Sequence, residues 1–167
     1  IGILGSDIDD RFLYEVTEEC RIAAENNNIH PTFFEGTTAV AFLAFSKRQA
    51  DILIVEVGLG GRLDATNVID HPIMSVITSI SLDHTEFLGK NIENIAYEKG
   101  WIIKSNCSCV ISQQYPEAME VLHSLAEKYN SSVYSYEYDW IIDPDKDGMV
   151  YKSKEKTIKL PMPNLQG

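Results

Sequence analysis

The chain has 167 residues, of which 44% are hydrophobic and 23% charged, and its net charge is −11. That length suits one domain with a core large enough to fold, and the acidity argues against a general nucleic-acid binder, which would be basic. No apolar run approaches the roughly 20 residues that a membrane span needs.

Asp7 to Asn27 predicts an amphipathic helix, because Ile8, Phe12, Val16, Cys20 and Ala23 recur at spacings of four and three. Phe33 to Arg48 predicts a second helix, apolar on most sides and therefore well buried. Ile52 to Val57 is a short apolar run between Asp51 and Gly58, as expected of a strand buried on both faces of a parallel sheet. Ile73 to Ile80 reads as another such strand. Asn91–Ile103 reads as a helix, Cys109–Ser112 as a strand, Glu117–Tyr129 as a helix and Ser132–Tyr136 as the next strand. The last stretch differs: Trp140–Ile142 and Met149–Tyr151 flank the polar loop Asp143–Gly148, and Thr157–Leu160 adds a further strand. The expectation is an α/β fold: a mostly parallel doubly wound sheet with a small antiparallel β appendage near the C-terminus.

Three cysteines, an odd number, speak against a disulfide framework and for a reducing cytoplasm. Cys107 and Cys109 alternate to opposite faces of a strand, and no second Cys or His pair completes a zinc site. Ile1–Leu4 carries no basic region of the kind that opens a signal peptide. An anionic small-molecule substrate remains compatible with the acidic surface, because a site needs only local positive charge.

Three positions interrupt the local pattern. Glu56 places a carboxylate at the end of an apolar run, either as an exit into solvent or as a group at the carboxyl rim of the sheet, where ligands bind in open α/β folds. His84 follows the next run, either as a structural hydrogen-bonder or as a partner of Glu56 around a common ion. Lys99 shares the apolar stripe of Ile92, Ile95 and Ala96. It either snorkels, with its stem buried and its ammonium wet, or is held neutral and can add CO2 to become a carbamate. Between the first two, Gly58-Leu59-Gly60-Gly61 runs into Arg62, Asp64, Thr66 and Asn67, a polar recognition loop rather than a dinucleotide fingerprint. No G-x-x-x-x-G-K-[ST] occurs in the chain.

Four ordered segments, Thr32–Ala39, Val55–Asn67, Ile77–Gly89 and Ile95–Lys104, together resemble the folylpolyglutamate synthase/dihydrofolate synthase family of the Mur ligase superfamily. The likeness is dense from about residue 32 to 112 and looser to 167, and EVGLGGRLDATN is close to diagnostic of the folate branch. The resemblance implies a P-loop NTPase-like central domain and an ATP-dependent ligase that adds L-glutamate to a reduced folate or dihydropteroate carboxylate through an acyl phosphate. It implies magnesium held by Glu56 and His84, leaves open a second divalent or monovalent cation, and implies a carbamate on Lys99. Arg62, Asp64, Thr66 and Asn67 fall in the loop near the folate substrate, and Glu35 in the T-x-F-E segment. The expected partners are ATP, glutamate and the folate-type acid for a cytoplasmic monomer, with no nucleic acid and no membrane.

Departures from the family pattern set further expectations. The family's phosphate loop and the family segment after it are not found, and the join between Ile3 and Leu4 is where residues are expected to be missing. Met162–Gly167 resembles the stretch just before an interdomain boundary, so residues 1–167 are expected to be part of an ATP-binding domain without its C-terminal partner, inactive alone. Two rivals stand beside this reading: a ligase of the cell-wall branch acting on peptidoglycan precursors, which the DATN loop disfavours, and a noncatalytic binding module.

Overall fold

The structure, a computed structural model, describes residues 1–3, 6–48, 50–83 and 85–163. They fall into two compact units, Ile1–Gly58 with Asp64–Val68, and Leu59–Leu63 with Ile69–Gly167. The expected join at Leu4, His84 and the boundary stretch from Asn164 onward lie outside the described residues.

The first unit opens with two short antiparallel strands, β1 (Gly2–Ile3) and β2 (Ser6–Asp7). Two helices follow, α1 (Asp10–Asn26) and α2 (Phe33–Lys47). Asp9 caps α1 by accepting the Phe12 N–H at 2.9 Å, which satisfies one of the amides a helix start leaves open. The apolar spacing works as expected: Val16 is fully buried with Ile8, Val40 and Ala44, and Phe12, Leu13, Cys20 and Leu43 pack around them. The expected burial of α2 is corrected. Only Thr38, Val40 and Ala44 of that helix are buried, and Phe33 is 89% exposed. An all-round apolar helix needs neighbours on several sides, and among the described elements the main partner of α2 is α1.

The expected strand Ile52–Val57 is also corrected: the segment forms no strand, and Ile52 and Ile54 are 72% and 89% exposed. Composition suited a buried strand, but a strand exists only through a ladder, and none of the described strands pairs with this run.

The second unit holds the parallel sheet. Its elements are β3 (Met74–Ile77), α3 (Thr85–Leu88), α4 (Ile92–Gly100), β4 (Ser108–Ile111), α5 (Pro116–Lys128) and β5 (Val133–Ser135). Strand order is β3-β4-β5, with Ile77 opposite Ile111 and Ile111 opposite Ser135. Successive right-handed crossovers to adjacent strands put their helices on one face. The core agrees: Ile77, Cys109 and Ile111 pack with Ile95 and Ala96 of α4 and Leu122 and Leu125 of α5. The opposite face leaves Met74, Val76 and Tyr134 exposed.

The appendage is a three-stranded antiparallel sheet, β6 (Trp140–Asp145), β7 (Gly148–Ser153) and β8 (Thr157–Pro161), in that order. The first strand runs further into the expected loop than its Pro144 suggested. Pro144 pairs with Met149 on an edge strand, where a missing N–H leaves no ladder gap. A Cβ on Gly148 would sit 2.1 Å from the Leu160 carbonyl, so only glycine lets β8 close on the turn.

Candidate functional site

The glycines after the apolar run set the path of the loop. Gly60 adopts φ +68°, and a Cβ on Gly61 would lie 2.7 Å from the Glu98 carbonyl oxygen and 3.0 Å from that of Lys99. The bare backbone therefore settles on the last turn of α4. Arg62 fastens it there twice: its N–H donates to the Glu98 carbonyl at 3.0 Å, and its Nε donates to Glu98 Oε1 and Oε2 at 3.0 and 3.2 Å. Sequence reasoning offered Arg62 as a substrate contact and gave Glu98 no role. The structure gives the Arg62 guanidinium a protein partner and makes Glu98 the anchor of the turn.

Lys99 lies in that same last turn, beside the anchor. It is half-buried, and its stem continues a stripe in which Ile95 and Ala96 are fully buried. Asn91 caps the helix start by accepting the Asn94 N–H at 2.9 Å.

The rest of the polar loop belongs to the first unit. Asp64 Oδ1 accepts from the Thr66 N–H at 2.9 Å and from Thr66 Oγ1 at 2.5 Å, and the Asn67 N–H donates to the Asp64 carbonyl at 3.0 Å. This is an Asx turn, in which a carboxylate stands in for backbone, and Asp64, Thr66 and Asn67 are all half-buried. Glu35 has a local task as well. Its Oε2 accepts from the Thr32 N–H at 2.7 Å and Thr32 Oγ1 at 2.8 Å, while its own N–H donates to Thr32 Oγ1 at 3.3 Å, a capping box at the start of α2. The Thr32 N–H, then the Thr32 hydroxyl, hold the Glu35 carboxyl below its ordinary range.

Glu56 is exposed at the end of the unpaired run. Its carboxylate oxygens are the donor type that magnesium prefers, and His84 is not among the described residues. Among the described residues no three His, Cys, Asp or Glu side chains gather as a metal shell.

The carboxyl rim of the parallel sheet carries groups that sequence reasoning missed. Gln114 Oε1 accepts the Ile80 N–H at 3.0 Å, and Gln114 Nε2 donates to the Thr78 carbonyl at 2.8 Å. Ser79 and Ser112 bring their hydroxyls within 3.2 Å. Their only sequence signal is polar residues directly after two apolar strands. A separate cavity of about 560 Å3 opens between the exposed sheet face at Met74, Val110 and Tyr134 and the appendage at Trp140 and Tyr151. None of the sequence-predicted site residues lines it.

Residues 11–163 match the family model described as the Mur ligase middle domain. The chain is 40% identical over 135 residues to a protein of Haemophilus influenzae named dihydrofolate synthase/folylpolyglutamate synthase, covering 81% of this chain and 30% of that one. It superposes on the Escherichia coli FolC complex with DHPP and ADP with a TM-score of 0.87 at 31% identity, covering 97% of this chain and 38% of that one. An FPGS–AMPPCP complex gives a TM-score of 0.86 at 31% identity, covering 93% and 41%. The chain thus spans about a fifth to a third of the length of the curated relatives it matches. The parallel three-stranded sheet and the antiparallel appendage are the α/β architecture expected from the residue pattern, and the chain shares its fold with the FPGS structures.

Proposed function

The chain belongs to the Mur ligase middle-domain family, and on that premise we propose that it is part of an ATP-dependent ligase that joins L-glutamate to a folate-type carboxylate. The observation that carries this reading is a tertiary one. Two motifs of the resemblance, Val55–Asn67 and Ile95–Lys104, meet where Arg62 closes on Glu98, so the glycine turn is seated beside Lys99. Relatives crystallised with ADP, an ATP analogue, DHPP or folate support ATP and a folate-type acid as substrates.

The reaction proposed has two displacements. The substrate carboxylate attacks the γ-phosphorus of ATP, the bond to the β-phosphate oxygen breaks, and ADP leaves. The glutamate amine then attacks the acyl carbon of the acyl phosphate, and inorganic phosphate departs. Magnesium, when bound, supplies positive charge against the charge that develops on the transferred phosphoryl group. Glu56 and His84 are the residues that would hold it, an oxygen donor and an imidazole from two different segments. Lys99, as its carbamate, would present fixed anionic oxygens from a helix that Asn91 and Glu98 hold in place. Arg62, Asp64, Thr66 and Asn67 shape the loop on the acid substrate's side, and Glu35 sets the start of α2. All eight assignments are proposals.

The test is made on the full-length ligase with ATP, magnesium, L-glutamate and a reduced folate or dihydropteroate. ADP release that requires both the acid and glutamate is expected. Turnover with a UDP-muramoyl peptide in place of the folate, or none with either, overturns the reading.

A further inference from the structure

We propose, resting on the ligase reading above, that Gln114 is a positioning residue for the metal rim: its carboxamide replaces the ladder that β3 loses and sets the course of the chain as far as Asp83, the residue before the proposed ligand His84 in sequence. The β3 ladder ends at the pair Ile77–Ile111. The next three residues have no strand partner, yet each is held. The Gln114 amide nitrogen donates to the Thr78 carbonyl at 2.8 Å, and its oxygen takes the Ile80 N–H at 3.0 Å. Between them the Ser79 hydroxyl meets that of Ser112 at 3.2 Å. Ile80 is only 3% exposed, so its contact with Gln114 is shielded from bulk water, whereas Thr78 and Ser79 are exposed.

A carboxamide offers a donor and an acceptor on a single uncharged planar group, and both are used here. A ladder would end in whatever direction the strand twist dictates. A side-chain clamp instead fixes residues 78 and 80 from the exit of the neighbouring strand, 34 and 36 positions away in sequence. Asp83 and His84 follow three and four residues later. Groups hydrogen-bonded directly to a metal ligand typically govern about 10–100-fold in metal affinity or activity, and a clamp acting through several residues of backbone should fall at or below the lower end of that range.

The experiment uses the full-length ligase with Gln114→Leu, Gln114→Glu and His84→Ala, and Leu122→Ala as a core variant remote from the rim. Two readouts are independent of turnover: hydrogen exchange of the peptide covering residues 78–83, and Mn2+ affinity of the nucleotide-bound protein by electron paramagnetic resonance. Gln114→Leu should speed exchange of the Ile80 amide and weaken Mn2+ binding several-fold, up to about 10-fold. Gln114→Glu keeps the acceptor for Ile80 but sets a carboxylate oxygen against the Thr78 carbonyl, so it should weaken Mn2+ with little loss of Tm. Leu122→Ala should lower Tm and leave Mn2+ affinity alone. Weakened binding in His84→Ala with wild-type binding in either folded Gln114 variant overturns this inference and spares the ligase reading. Wild-type Mn2+ affinity in His84→Ala overturns the metal assignment itself. Failure of both Gln114 variants to fold also counts against the proposal, since the side chain would then be holding the core and not the exit.

Discussion

Arg62 and Glu98 form a double attachment, backbone to backbone at 3.0 Å and guanidinium to carboxylate at 3.0 and 3.2 Å, across 36 residues of sequence. The side chains are 39% and 22% exposed, so the ion pair alone contributes only about 0–1 kcal/mol. Its weight falls on geometry instead. Glu98→Gln is expected to change thermal stability by no more than a few degrees while lowering kcat/KM of the proposed ligase at least several-fold. A double-mutant cycle with Arg62→Ala, scored for both stability and kcat/KM, checks this. Additive effects on kcat/KM would show that the two side chains do not act as one clamp.

The glycines give a paired prediction of opposite sign. At Gly61 a Cβ would meet two backbone carbonyls that cannot swing aside, at 2.7 and 3.0 Å. Gly61→Ala should therefore destabilise by about 1–3 kcal/mol, as overpacking does. Gly36 sits inside α2, and its nearest Cβ neighbour would be Pro31 Cγ at 4.0 Å. Gly36→Ala should stabilise by roughly 0.5–1 kcal/mol, because the helix gains propensity and meets no clash. Urea unfolding of both variants decides it, and equal signs would contradict the geometry.

What could be read from the sequence divides along physical lines. The amphipathic spacing of Phe12, Val16 and Cys20 reports a local period, and α1 forms where it was expected. The alternation of β3, α4, β4, α5 and β5 was legible for the same reason, with boundaries off by one to three residues, whereas the single turn α3 was too short to show a period. The run Ile52–Val57 was not, because composition encodes burial preference and cannot supply a ladder partner. The misjudged burial of α2 has a related cause: apolar content says what a helix tolerates, and its neighbours decide what it covers. The clamps of the site were hidden more deeply. Glu98 and Gln114 are ordinary polar residues in sequence, and only tertiary contacts with Arg62, Thr78 and Ile80 give them tasks.

Thiol chemistry should distinguish Cys109 from bulk. It is fully buried in β4, and burial pushes its thiol up to about 12. The reactive thiolate is therefore scarce at neutral pH and sterically covered as well. A disulfide reagent such as DTNB at pH 8 should leave Cys109 unmodified in the native protein and label it on adding denaturant. Native labelling at Cys109, read by peptide mass spectrometry, would mean that β4 opens without global unfolding.

Acid should loosen the first unit through Asp9. The Phe12 N–H, and next the Arg48 side chain at 2.8 Å, hold the Asp9 carboxyl below its ordinary range, and Arg48 also lies 4.0 Å over the Phe12 ring. A carboxyl whose folded pKa is depressed adds stability that is present above its unfolded value. That stability disappears as pH falls through the folded value. The window thus opens near pH 4, where an unfolded aspartate titrates, and extends downward. Asp9→Asn keeps a cap acceptor but has no charge to lose. The Tm difference between wild type and Asp9→Asn should therefore be a few degrees at pH 6 and shrink toward zero in strong acid. Other carboxylates titrate in both proteins, so the difference isolates this one. A gap that stays constant from pH 6 to pH 3 would show that the Asp9 charge adds nothing beyond the cap.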